Sequence, residues 1–248
     1  MVTRRFRRLA IATTVALALA GSTTAGEPKS LVGPRKPGVV TSPVVTVASS
    51  AQPKLLDFVV ESHREMVAAI IKSPTLAAKA TDDEFVAHTK VYDFLLAHPE
   101  RTSLAWQRLK VPCLEITDLG KGQYYWGDEG SELTWQTVGS FENGVVWYAT
   151  GKVKAGVLPA VPVKAVAVLQ SPHTQADATD SATYKPVVNV YIQCDSKLAA
   201  AALRLAGPSA PRLAEEGAQQ LMFFFSGVAR YLHKKPDQIE TLLGTKKK

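Results

Sequence analysis

The spacing of apolar residues changes twice along this chain, and the changes divide it into three structural stretches. From Lys54 to Ser73, KLLDFVVESHREMVAAIIKS places Leu55, Leu56, Val59, Met66, Val67 and Ile70 at helical intervals, and Ser73-Pro74 ends the run. Thr81 followed by Asp82, Asp83 and Glu84 has the form of a capping box, with acids at the positive end of a helix dipole. That pattern predicts a second helix through EFVAHTKVYDFLLAH, burying Phe85, Val91, Tyr92, Leu95 and Leu96. His98-Pro99 breaks it, and ERTSLAWQRLK predicts a short third helix carrying Leu104, Trp106 and Leu109.

After Val111 the period falls from about 3.6 to 2. The runs CLEITDL, GQYYWG, ELTWQTVGS, GVVWYATGKVK, AVPVKAVAVLQS and ATYKPVVNVYIQC read as strands. The segments 118–122, 128–131 and 142–144 supply turn residues, each with glycine where a positive φ costs little. Connections this short make neighbouring strands antiparallel, so the middle of the chain predicts a meander of about six strands. The helical period then returns. KLAAAALRLAG is one predicted helix, stopped by Gly207-Pro208, and RLAEEGAQQLMFFFSGVARYLHKK is a longer one. Its Ala214, Ala218, Leu221, Phe225, Val228 and Leu232 follow steps of four and three and share one face. A long amphipathic helix after an antiparallel sheet buries that stripe best across the sheet. The fold class is therefore α+β: N-terminal helices, a meander, and a closing helix on the sheet.

The N-terminus carries a different message. MVTRRFRR is basic, LAIATTVALALAG is apolar and of signal-peptide length, and STTAG supplies small residues, which predicts a leader at 1–25 ending at Ala25. Its apolar run is shorter than the about 20 residues that cross a bilayer. The chain is expected to be exported, to the periplasm or cell envelope. Residues 26–53 are rich in proline, which removes backbone donors and predicts a flexible spacer; 54–248 is expected to be a single domain. Processing also alters the charge. The full chain is +7, but four of its 29 basic residues are leader arginines, and against 22 acidic residues the remainder is close to +3. Much of that lies in the closing Lys246, Lys247 and Lys248, so no nucleic-acid partner is implied. Peripheral contact with the envelope remains open.

Little in the sequence looks like catalysis. No GxSxG, HExxH, CxxC, P-loop or GxGxxG occurs, and no cofactor is implied. Asp128, Glu129 and Glu132 fall in a turn where water solvates them, whereas a glycosidase needs two carboxylates fixed across a cleft. Glu84 and His88 could share a helix face four residues apart, but no third ligand is in sight and no metal site is assigned. Cys113 and Cys194 could pair after export, or Cys194 could be a buried thiol continuing the Val188, Val190, Ile192 alternation. In QYYWGDEGSELTW, Tyr124 and Trp126 share one strand face and Tyr125 the other, so the segment reads first as an aromatic hairpin.

VYDFLLAHPERTSLAWQRLK, GQYYWGDEG, the strands around AVAVLQS and VNVYIQCD, and the final helix together resemble exported bacterial START-like, helix-grip proteins, by element order from Asp82 to Leu243. That resemblance implies an apolar or lipid-like ligand held between sheet and closing helix. Trp126, Trp135 and Trp147 of the strands and Leu221, Phe225 and Val228 of the helix would then form its walls. The competing expectation is a non-catalytic structural or interaction protein of the envelope, with a filled core. An enzyme is the least supported class.

Overall fold

The computed structural model describes residues 52–128, 130–154, 160–176, 180–194 and 209–244. The expected leader, nearly all of the spacer, the helix expected over KLAAAALRLAG, Glu129 and the lysine tail lie outside these residues.

The chain begins with two helices, α1 (Gln52–Asp57) and α2 (Glu61–Lys72). Strands β1 (Leu76–Thr81) and β2 (Phe85–His88) follow, then helices α3 (Thr89–Ala97) and α4 (Pro99–Arg108). The meander runs through β3 (Thr117–Gly120), β4 (Gln123–Gly127), β5 (Glu132–Phe141), β6 (Gly144–Val153) and β7 (Val161–Gln170). A short hairpin, β8 (His173–Ala176) and β9 (Ser181–Tyr184), leads to β10 (Val187–Cys194). The long helix α5 (Ser209–Lys234), a 3₁₀ turn and α6 (Ile239–Leu243) close the described chain. The α+β reading holds. A seven-stranded antiparallel sheet in the order β1-β10-β7-β6-β5-β4-β3 carries α5, and β2, β9 and β8 form a small second sheet.

Both faces of the large sheet are covered. Alternate residues of β6 and β7 point opposite ways, as the two-residue period requires. Val146, Tyr148, Val166 and Val168 face α2 and pack with Val59, Val67, Ile70 and Ile71. Trp147, Ala165 and Leu169 face the other side, in the core that holds α3, α4 and α5. The closing helix does not lie over the centre of that second face. It packs chiefly on β1, β2 and β10 and against α3 and α4. Trp106 of α4 lies over Gly227 of α5 so closely that a Cβ there would come within 2.7 Å of the ring. The Trp106 indole N–H donates to the Phe224 carbonyl at 2.9 Å, fixing the two helices together.

Two expected helical stretches are revised. The first is two helices, because the chain turns at 58–60 to meet the sheet: the Val60 N–H donates to Val138 O at 2.8 Å, and Val59 bridges Gly139. Gly139 sits beside a break in the β5–β6 register, and any side chain there would collide with the Phe58 carbonyl. Met66, assigned to the apolar stripe, is 41% exposed. The capping box does not start a helix. Thr81 ends β1, Phe85–His88 is a strand, and α3 begins only at Thr89. Pairing of Leu76–Thr81 with Val187–Ile192, and of Phe85–His88 with Ser181–Tyr184, satisfies these backbones across strands, which outweighs local helical preference. The Asp82 side chain is instead used in tertiary contacts. One oxygen accepts from Arg230 Nη2 at 2.8 Å and from Ser226 Oγ at 3.0 Å, tying the β1–β2 turn to α5.

Candidate functional site

The QYYWGDEGSELTW segment is the β4–β5 hairpin, with Tyr124 opposite Trp135 and Trp126 opposite Leu133. Its turn is built by Asp128, whose Oδ1 accepts from the Ser131 N–H at 3.1 Å. Tyr124 and Trp126 point into the core that holds α5, as their spacing predicts, and Tyr125 points away. The Tyr124 hydroxyl donates to Ala97 O at 2.8 Å, anchoring the hairpin to the end of α3; burial, with Glu100 and Asp118 nearby, pushes its pKa up to about 12.

Strand register arranges the rest of this face. Trp135 of β5 stands opposite Ala149 of β6, and Ala149 opposite Ala165 of β7; Trp147 stands opposite Ala167. Wide indoles and single methyl groups therefore alternate across the sheet. Three indoles cannot fill the space above three alanines, and α5 is displaced toward β1 and β10. An apolar cavity of about 110 Å³ results, partly open to solvent. Its floor is Trp126, Leu133, Trp135, Trp147, Ala149, Ala165, Ala167 and Val190. Leu221, Phe224 and Phe225 of α5 form one wall, and Pro99, Leu114 and Ile116 the other. Phe225 stacks on Trp147 with ring centroids 5.4 Å apart and planes 18° from parallel.

Of the six residues expected at a ligand space, Trp126, Trp135, Trp147, Leu221 and Phe225 are brought to this one cavity. Val228 is fully buried but is not among its lining residues; one turn beyond Phe225, it packs in the core. Sequence periodicity missed Phe224, because α5 buries a wider arc than a single stripe: Met222, Phe224, Phe225, Val228 and Ala229 are all inside. It also missed Pro99, at a helix start, and Leu114 and Ile116, which belong to the expected strand CLEITDL but precede the observed strand, β3, beginning at Thr117.

Among the described residues the cavity lining contains no charged side chain, and its only side-chain heteroatoms are the indole nitrogens. Two of these are notable. Trp126 Nε1 and Trp147 Nε1 are buried with no hydrogen-bond partner among the described residues. Such a group lacks the partner that buried donors ordinarily have.

Other chemical candidates are dispersed or already occupied. Glu132 lies 3.9 Å from Lys152 Nζ in an exposed pair, and Asp128 holds its own turn, so these two described acids are each engaged elsewhere. Glu84 immediately precedes β2 and His88 ends it, so the two are not on one helix face. Four residues of strand put them about 13 Å apart along the chain. Glu84 instead pairs with Lys185 Nζ at 3.2 Å, and His88 Nδ1 shares a hydrogen bond with Ser181 Oγ. Among the described residues no group of three or more His, Cys, Asp or Glu could hold a metal ion. Cys113 and Cys194 are both thiols in this structure. Burial pushes the Cys113 pKa up to about 11, which makes it a poor nucleophile at neutral pH. A larger depression of about 430 Å³ borders Thr81, Asp82, Glu216 and Gln220, but it is more open and Asp82 is already committed to Arg230 and Ser226.

No protein-family model matches the chain, and no curated protein matches it. Among solved structures, a conserved protein from Geobacillus kaustophilus is similar at a TM-score of 0.41 and 12% identity, over 64% of this chain and 97% of that one. A likeness so distant carries nothing about function.

Proposed function

We propose that this chain is an exported binding module that holds a compact apolar ligand, or the apolar end of a larger one, in the seam between sheet and α5. The observation that carries this reading is the cavity of about 110 Å³ walled by Trp126, Trp135, Trp147 and Phe225 on a face otherwise close-packed. An apolar hole of about 150 Å³ binds benzene or xenon, so the volume suits a ring or a short branched group. It does not suit a whole lipid tail enclosed within the protein, and the partial opening offers an exit for the remainder of a longer molecule. Export rests on the leader at 1–25; among the described residues no helix is long and apolar enough to cross a membrane.

The same volume supports a second reading. Ligand pockets commonly measure about 300–1,000 Å³, and this one is smaller, as expected of a structural or interaction protein of the envelope whose core is almost filled. Native mass spectrometry on protein prepared from the envelope fraction without detergent separates the two. An extra mass that leaves on denaturation and is recovered in an organic extract supports the carrier. A bare polypeptide mass, together with no affinity for benzene-sized probes, supports the scaffold. N-terminal sequencing of the same sample should begin near Gly26, and an intact Met1 would contradict cleavage of the leader.

A further inference from the structure

Four tryptophans are present, and their indole N–H groups have different fates. That of Trp106 is satisfied by the Phe224 carbonyl at 2.9 Å. Those of Trp126 and Trp147 have no acceptor among the described residues, although the two residues are only 2% and 6% exposed and both line the cavity. They stand on β4 and β6, with Trp135 of β5 between them. A buried donor with no acceptor is costly, so a guest that supplies an acceptor gains more than one that supplies only apolar surface. Among the described residues the lining offers no cation to neutralise a carboxylate or phosphate, and no carboxylate to receive an amine, so a charged guest would be desolvated without compensation.

We infer that the cavity selects neutral molecules with a compact apolar body and a hydrogen-bond acceptor, a carbonyl or ether oxygen, that receives the Trp126 or Trp147 indole N–H. This rests on the cavity being a ligand site and specifies what the ligand must carry. A single hydrogen bond of ordinary net strength corresponds to roughly tenfold in affinity.

Acetophenone and ethylbenzene have nearly the same shape and differ by a carbonyl, and benzoate adds a charge. Titrated into the full-length folded protein, acetophenone should bind roughly tenfold tighter than ethylbenzene, and benzoate more weakly than acetophenone. In ¹⁵N-resolved spectra acetophenone should move the Trp126 or Trp147 indole proton downfield while leaving Trp106 in place, and ethylbenzene should not. This readout needs no variant. Trp147→Phe and Trp126→Phe then test which donor acts: the acetophenone preference should collapse in one of them while ethylbenzene binding persists. Equal affinity for the two neutral probes, or an unmoved indole proton in both titrations, overturns the donor inference and leaves the pocket standing. Tightest binding by benzoate overturns the neutrality argument. Binding of none of the three removes the ligand site itself.

Discussion

The two faces of the large sheet are built from the same strands and packed in different ways. Beneath α2, the sheet offers Val138, Val146, Val166 and Val168, and the helix answers with Val67, Ile70 and Ile71. Apart from Tyr148 in the same cluster, these β-branched side chains are similar in size and stiff at χ1, so they interdigitate with little choice of arrangement. Beneath α5, the sheet offers Trp126, Trp135 and Trp147 beside Ala149, Ala165 and Ala167. Flat rings and methyl groups leave gaps that only a third element could fill, and α5 sits toward the β1–β10 edge instead. One face is a structural core; the other combines a core with a cavity. What separates them is not hydrophobicity, which is high on both, but the spread of side-chain sizes and the position of the covering helix.

The largest effect should come from the close-packed face. Ile70→Ala removes a side chain that is 1% exposed and should cost about 2–5 kcal/mol, read as a lower urea midpoint at unchanged slope. On the opposite face Phe225→Ala should cost no more than about 3 kcal/mol, the low end for a buried phenylalanine, because part of its surroundings is already void. If Phe225→Ala proves the more damaging of the two, the faces are equally filled and the contrast disappears. Ala165→Val then sharpens it with a smaller change of opposite sign. Adding two methyl groups beside the cavity should stabilise by about 0.5–2 kcal/mol and abolish binding of a benzene-sized probe. A loss of about 1–3 kcal/mol would instead indicate overpacking and no usable space.

A smaller effect concerns the segment flanking the cavity. Cys113 keeps its proton in the folded state up to about 11, against an ordinary value of 9.0, because it is buried. The unfolded chain therefore loses that proton first as pH rises. The stability it contributes is complete below pH 9 and is lost as pH climbs through 11. Cys113→Ser should flatten this part of the stability–pH curve, and an unchanged slope would show that the thiol is not buried in solution.

Much of this arrangement was legible in the sequence where a period ran uninterrupted. The β4–β5 hairpin, β6, β7 and α5 all follow from alternation or from four-and-three spacing, whereas the three indoles were pocket candidates only through the resemblance to helix-grip proteins. Strands β1 and β2 were not legible. LAAKAT has small residues with no strong alternation, and EFVAHTK continues smoothly into a true helix, so only the partners Val187–Ile192 and Ser181–Tyr184 reveal them as strands. The polar HTQA of β8 carried no strand signal either. The cavity itself lay beyond sequence reasoning for a different reason. It depends on which alanine faces which tryptophan across neighbouring strands, and on the sideways placement of α5, both of which are fixed by register and tertiary packing rather than by local pattern.

The most direct test of that account is a crystal of the protein held under xenon pressure. Xenon enters apolar voids without needing hydrogen bonds, so its electron density reports space alone. The account predicts one ordered xenon between Trp147, Ala165 and Phe225, and no xenon between α2 and the valines of the opposite face. Xenon absent from the α5 seam, or bound equally on both faces, would contradict it.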